Sequence, residues 1–271
     1  LLVHKATHHF DLVNWWLATV PETVYANGKR VFYNTAQAKR YGLENHGQRC
    51  LECPVSNRCN FYLDIKRVGE LKQLYLDNET YDGYFRDCCV FEDGDSDIED
   101  VANVIVEYKN GALLSYSLNA FMPWEGYRVE FNGTKGRLEH CCQEASYISG
   151  DGSIQGALKP EQTAIRIYPH FQTPYSVEVR QSQGDHGGGD IAMVDDLFGP
   201  LRPDPLRRAA DYKQGAWSIL TGIAANKSIT TGKVIRIEKL VTGLPADVFS
   251  QTIDENEKIP YVPCAKRLAD I

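Results

Sequence analysis

Residues 103–119 read NVIVEYKNGALLSYSLN, and the pattern in this stretch decides the fold class. Val104, Val106 and Tyr108 alternate with Asn103, Ile105 and Glu107. Beyond Asn110-Gly111, Leu114, Tyr116 and Leu118 alternate with Ser115, Ser117 and Asn119. A period of two on either side of an Asn-Gly pair is the pattern of a hairpin, because side chains alternate across a strand and this dipeptide tolerates the positive φ of a tight turn. The period returns in Tyr127, Val129 and Phe131, turns at Gly133–Gly136, and continues through Ile165, Ile167, Tyr175, Val177 and Val179. Strands joined this closely pair antiparallel, and a sheet with one apolar face needs a cover.

Helical periodicity flanks the strands. Phe10, Val13, Trp16 and Leu17 predict a helix over Lys5–Leu17 with one buried face, left at Pro21. A strand is expected over Thr23–Tyr33, broken by the turn dipeptide Asn27-Gly28. Residues 34–100 are polar, irregular and cysteine-bearing, and read as an insertion with one helix over Ile65–Leu76, where Ile65, Val68, Leu71 and Tyr75 share a side. Its acidic end, Glu92–Asp97, lacks the glutamate that closes a calcium loop and reads as a solvated loop. Helices are expected again over Ile191–Phe198 and Leu206–Ala225, and a closing strand over Val234–Ile237. The fold class is therefore α+β: a large, mostly antiparallel sheet with helices on one face, the other face open for dimerisation. Ser115, Ser117, Asn119 and Arg128 make that open face mixed rather than uniformly apolar.

With 43% hydrophobic and 24% charged residues among 271, the chain can bury a core. Its formal net charge of -7 supplies no positive field for a phosphate backbone, which argues against nucleic acid. No apolar run approaches the roughly 18 residues that cross a bilayer, and the N-terminus lacks the order of a signal peptide, so no membrane partner and a cytoplasmic setting are expected. The chain opens at Leu1-Leu2-Val3 as though a first strand were entered midway, which suggests a piece of a longer protein. Asn78, Asn132 and Asn226 head glycosylation triplets of the kind that occur by chance.

Three constellations carry potential chemistry. A dinucleotide site needs glycines at a strand-to-helix turn so that pyrophosphate meets backbone N–H groups; the only glycine cluster, His186-Gly187-Gly188-Gly189-Asp190, has the wrong spacing. His186 and Asp190 instead fall on one face if a helix begins near Gly188, where they suit sugar hydroxyls; the plainer reading is a glycine-rich helix start with an acid in its first turn. His4 and His8 stand four apart, as zinc ligands on helices do, with Asp11, His186 and Asp190 as partners, but the glutamate of a metalloprotease helix is missing. Cys50-Leu51-Glu52-Cys53 followed by Cys59 is the third: a C-x-x-C pair grips one tetrahedral ion, and a third thiolate plus Cys89, Cys88 or His46 completes a structural zinc site, with Cys89 favoured. Reduced packing thiols or a disulfide are the alternatives.

The segment His4–Leu17, HKATHHFDLVNWWL, resembles the domain-junction helix of Gfo/Idh/MocA-type oxidoreductases. The likeness continues in order through Tyr108–Ala112, Asn132–Glu139, His186–Asp190 and Ala225–Ser228. It implies that residues 1–271 form the C-terminal substrate-binding and oligomerisation domain, residues 34–100 being an insertion, without the N-terminal Rossmann domain that holds NAD or NADP. The implied activity moves hydride between nicotinamide and a hydroxyl-bearing carbon of a sugar or polyol, in a homodimer or tetramer formed through the sheet face. An NAD-dependent glycosidase of the same architecture and a non-catalytic carbohydrate- or partner-binding module are the alternatives.

On this resemblance His8 takes the place of the catalytic histidine, and imidazole suits the hydroxyl proton because it titrates near neutrality. Lys5, one turn earlier, would hold a substrate hydroxyl or press on the histidine by like charge, while His9, Asp11, His186 and Asp190 would bind substrate. His4 stands where well-studied family dehydrogenases carry an aspartate, so their usual proton relay is not reproduced, and their catalytic lysine belongs to the absent domain. The cysteine cluster also resembles one in a branch of the family.

Overall fold

A computed structural model describes residues 1–67, 69–94, 97–145, 163–179, 188–200, 203–246 and 248. They divide into two compact units. Unit 1 comprises Leu1–Asn27, Asn103–Tyr116 and the described part of Ala210–Ile271; unit 2 comprises Gly28–Ala102 and Ser117–Ala209.

The α+β class holds, with the antiparallel strands divided between two four-stranded sheets. The first has the order β3-β2-β1-β8, from β1 (Pro21–Lys29), β2 (Val101–Tyr108), β3 (Leu113–Asn119) and β8 (Ile235–Arg236). Its hairpin closes where the Asn-Gly pair predicts, the N–H of Gly111 donating to the Tyr108 carbonyl. Along β2 the predicted alternation is exact in burial: Val104, Val106 and Tyr108 are buried, Asn103, Ile105 and Glu107 exposed. The expected break at Asn27-Gly28 does not occur, and β1 runs straight through it. Strand β1 lies between β2 and β8 in the sheet, meeting β8 at Thr23 and Val24, and strand pairing outweighs the local turn preference.

The second sheet, β4-β5-β6-β7, lies in unit 2: β4 (Glu125–Gly133), β5 (Gly136–Ala145), β6 (Ala164–Pro169) and β7 (Tyr175–Val177). Its register places Val129 opposite His140, Phe131 opposite Leu138, Leu138 opposite Ile167, and Ile165 opposite Val177, which gathers an apolar row on one face. The other face is charged, with Arg137 paired to Glu130 and Glu139. No member of the apolar row is buried, and Val177 is 39% exposed.

In unit 1, α1 (Thr7–Leu17) lies against α6 (Tyr212–Thr231). Helix α6 begins six residues later than its apolar periodicity suggests, because Asp211 and Gln214 form a capping box: the Asp211 carboxylate accepts from the Gln214 N–H, and the Gln214 amide oxygen accepts from the Asp211 N–H. After the buried Gln214 and Trp217 its buried residues are small, Ser218, Thr221, Gly222, Ala224, Ala225 and Ser228, so another backbone approaches closely. At Gly222 a Cβ would stand 2.2 Å from the Leu2 carbonyl oxygen.

Unit 2 contains the insertion. The helix expected over Ile65–Leu76 shrinks to α3 (Gly69–Leu74), and α2 (Thr35–Arg40), capped by the Asn34 side chain, and α4 (Glu79–Asp82) flank it. Ile65 is fully buried outside any helix, and Val68 lies outside the described residues. Asp100 ties the start of the insertion to its end: Oδ1 accepts from the Val31 N–H, and Oδ2 from those of Phe32 and Tyr33, each at 2.8 Å. Helix α5 (Gly189–Phe198) follows the second sheet. Among the described residues no helix is long and apolar enough to cross a membrane.

Two glycines of α6 give opposite expectations. Gly215 has open space around its would-be Cβ, so Gly215→Ala gains helix propensity and stabilises by about 0.5–1 kcal/mol. Gly222→Ala meets the Leu2 backbone, and an overpacking cost of about 1–3 kcal/mol outweighs the same gain, for a net loss. Urea-unfolding midpoints of both variants measure the difference.

Candidate active site and candidate metal centre

Helix α1 has a buried edge of Phe10, Val13 and Asn14, with Ala6 just before its first turn. Its C-terminus is set by Ala18 in the left-handed conformation at φ 50°. This burial leaves Lys5 and His8 exposed and turns His9 partly inward. His9 Nδ1 lies 2.9 Å from the Tyr116 hydroxyl on β3, and the Phe10 ring packs on Tyr116 with centroids 5.1 Å apart. The nearest-neighbour chemistry of α1 is therefore an imidazole–phenol pair below an exposed imidazole.

Burial, and secondarily the charge of His8, lowers the pKa of His9, so this ring stays neutral. Burial raises the Asp11 carboxyl above its ordinary range, and the neighbouring His8 only partly counters it. Among the described residues, Asp11 Oδ1 is buried without a hydrogen-bond partner, and Asn14, 0% exposed, has both amide atoms unpartnered. Tyr116 is pushed upward by burial, so its hydroxyl keeps its proton. The structure thus brings together His8, His9 and Asp11 of the sequence-predicted set, with Lys5 one turn before His8.

Asp190 sits exposed in the first turn of α5, in unit 2, and His186 lies outside the described residues. Tyr116 and Asn14 were not singled out from sequence. Tyr116 stood in the predicted inward row of β3, which was the available signal; Asn14 gave none, because a polar residue on an otherwise apolar helix edge reads as a surface position. A separate open cleft of about 550 Å³ in unit 1 is lined by Lys109, Trp217, Glu22 and Glu238 and contains no residue of α1.

The cysteine cluster lies in unit 2. The N–H of Cys53 donates to the Cys50 carbonyl, and that of Cys89 to the Gln48 carbonyl, which sets the Asp87–Cys89 run beside the C-x-x-C loop. Arg49 fixes this arrangement by pairing with Glu79 and with the fully buried Asp87 carboxylate. Burial pushes the Cys50 thiol up to about 11, and raises Cys59 and Cys89 as well. His46 Nδ1 lies 3.4 Å from Cys89 Sγ. None of Cys50, Cys53, Cys59 and Cys89 is in a disulfide. Among the described residues no group of three or more His, Cys, Asp or Glu side chains stands at metal-binding spacing, either here or around His4, His8 and Asp11.

The raised Asp11 pKa has a signed consequence. A carboxyl that holds its proton more tightly when folded stabilises the fold at acid pH, and that contribution is lost as pH rises through the folded value. Asp11→Asn removes the charged form, so the variant melts above wild type near neutral pH, and the gap closes on acidification. Melting curves across this range check the sign, and an Asp11→Asn variant that melts below wild type near neutrality rejects it.

Comparison with known proteins bears on what this helix belongs to. A family model described as "Oxidoreductase family, C-terminal alpha/beta domain", GFO_IDH_MocA_C, matches residues 1–237. YteT of Bacillus subtilis (strain 168), named as an oxidoreductase, is 38% identical over 250 residues, covering 89% of this chain and 56% of the relative. The chain therefore spans little more than half the length of that curated relative. Similar solved structures include an Agrobacterium radiobacter oxidoreductase in complex with NAD+, L-tartaric acid and magnesium, at 12% identity and TM-score 0.46, covering 89% of this chain and 50% of that one. The transcriptional regulator Gal80p of Kluyveromyces lactis is similar at 14% identity and TM-score 0.47, covering 88% and 46%. With the family model matched over residues 1–237, the chain belongs to the Gfo/Idh/MocA oxidoreductase family and corresponds to its C-terminal α/β domain.

Proposed function

We propose that this chain is the substrate-binding and oligomerisation domain of a cytoplasmic NAD(P)-dependent oxidoreductase that acts on a hydroxyl of a sugar or polyol. The observation that carries the reading is the polar face of α1, where an exposed imidazole stands beside a neutral imidazole and a buried, unpartnered carboxylate oxygen. Orphaned buried polar atoms are costly in a fold and are satisfied by a ligand or water.

In this reading the dinucleotide is held by a domain outside this chain; among the described residues no strand passes through a glycine fingerprint into a helix. Bound nicotinamide would supply the hydride chemistry. His8, exposed, is the residue placed to exchange the hydroxyl proton, since His9 is engaged with Tyr116. Lys5, on the same side one turn earlier, is a hydroxyl donor partner, and His9 and Asp11 orient substrate. Asp190, on α5 in unit 2, and His186, outside the described residues, are proposed separately as substrate-binding groups.

The apolar row of the second sheet supports self-association. A half-exposed face of Val129, Phe131, Leu138, Ile165 and Val177, backed by a charged opposite face, is the composition expected of a buried pairing surface.

In the full-length protein, His8→Ala lowers kcat by about 10²–10⁴-fold, the span of a lost general base, with NAD(P) affinity unchanged; wild-type turnover in that variant rejects His8 as the proton carrier. Tight NAD binding by the isolated chain, measured calorimetrically, would count against a nucleotide site held elsewhere. Val177→Arg, on the exposed edge of the apolar row, shifts the protein to monomer in analytical ultracentrifugation; an unchanged oligomer places the interface elsewhere.

A further inference from the structure

Asn14 is the residue of α1 that its surroundings explain least. It is 0% exposed, and among the described residues neither its Nδ2 nor its Oδ1 has a hydrogen-bond partner. A buried amide gives up its water and, left unpaired, carries the full desolvation penalty. Helix propensity does not call for it either, since leucine or alanine serves better inside a helix. Its main-chain carbonyl accepts the Ala18 and Thr19 N–H groups at the C-terminus of α1, a backbone role that any residue fills.

At about 100° per residue, the order around α1 is Phe10, Asn14, Asp11, His8. Burial falls in the same order: Phe10 and Asn14 are fully buried, Asp11 is part-buried and His8 is exposed. Asn14 thus stands between the apolar edge and Asp11, whose Oδ1 is likewise buried and unpartnered among the described residues. Residues three apart on a helix have Cβ atoms about 5–6 Å from one another, and here no direct bond joins the two side chains. One water spans such a gap, accepting from Asn14 Nδ2 and donating to Asp11 Oδ1, and buried polar groups that miss each other are commonly joined in this way. Asp11 in turn feels the charge of His8, so the series runs from a buried amide to an exposed imidazole.

We propose that Asn14 is a positioning residue of the candidate site: through one buried water its amide holds the inner oxygen of the Asp11 carboxyl, fixing that group beside His8 and giving its anion a donor on the buried side. The inference rests on the reading of α1 as the substrate-facing helix. Asn14 itself touches neither substrate nor cofactor. Burial favours the protonated Asp11 carboxyl, and the amide works against burial, because a hydrogen-bond donor favours the anion. Without the amide, Asp11 takes up its proton at higher pH still, and a protonated carboxyl is a poorer acceptor for a substrate hydroxyl.

The test uses the full-length protein with isotope-labelled aspartate carboxyls followed by NMR, the Asp11 signal being the one lost in Asp11→Asn. Asn14→Leu, close in volume and unable to donate, lowers the Asp11 proton dissociation constant about tenfold, the effect of one lost donor on an anion. Asn14→Ser restores most of it, because a hydroxyl donates to the same water. In turnover of a panel of sugars and polyols with NAD+ or NADP+, the acid limb of the kcat/KM profile moves to higher pH in Asn14→Leu, while kcat on the alkaline plateau stays within about twofold of wild type. A merely loosened helix moves neither the titration nor the acid limb. Should Asn14→Leu fail to fold, a high-resolution crystal structure of wild type decides: an ordered water bonded to both Asn14 and Asp11 supports the role, and an amide paired with protein groups alone overturns it. An Asp11 titration equal in wild type and Asn14→Leu, or a shifted titration with an unmoved turnover profile, also overturns it. Wild-type turnover in His8→Ala sinks the underlying reading instead, and with it the catalytic side of this role, while the Asp11 titration still reports the bridge.

Discussion

The approach of the Leu2–Val3 backbone to Gly222 is the constraint on which the candidate site rests. Helix α6 offers a face of serine, threonine, glycine and alanine, and the chain leading into α1 lies directly on it. A side chain at Gly222 would displace that backbone, and with it the lead-in that carries Lys5 and the first turn of α1 that carries His8 and His9. Close packing of two backbones sacrifices side-chain burial for precision, and precision is what proton transfer between hydrogen-bonded groups requires.

The two candidate clusters are held in different ways. On α1 the polar groups are partly desolvated by Phe10, Tyr116 and the buried helix edge, and desolvation disfavours whichever form is charged: His9 stays neutral and Asp11 holds its proton longer. In the insertion the organising groups are ionic. Arg49 is pinned between Glu79 and Asp87, and Asp100 gathers three backbone N–H groups. A segment with so little regular structure is ordered by side chain to backbone bonds, which satisfy polar atoms that a ladder would otherwise serve.

Much of the architecture was legible from alternation alone. The hairpin at Asn110-Gly111, the inward row Val104, Val106 and Tyr108, and the row Tyr127, Val129 and Phe131 fall where period two places them, because burial follows side-chain direction and side-chain direction follows the strand. Helix α1 was equally clear. The failures have local causes with wider answers: Asn27-Gly28 is a turn dipeptide held extended within a strand of the first sheet, and the periodicity before Tyr212 was overruled by the Asp211 capping box.

For function, the residue types and their order determined the family, and they offered His8-His9-Asp11 and the cysteines as candidates, since composition and spacing are properties of the chain itself. The partition of the strands into two sheets, the pairing of His9 with Tyr116 across 107 residues, and the burial of the Asn14 amide were decided only in three dimensions. Periodicity reports which way a side chain points, whereas the partner it meets is chosen by packing between segments far apart in sequence.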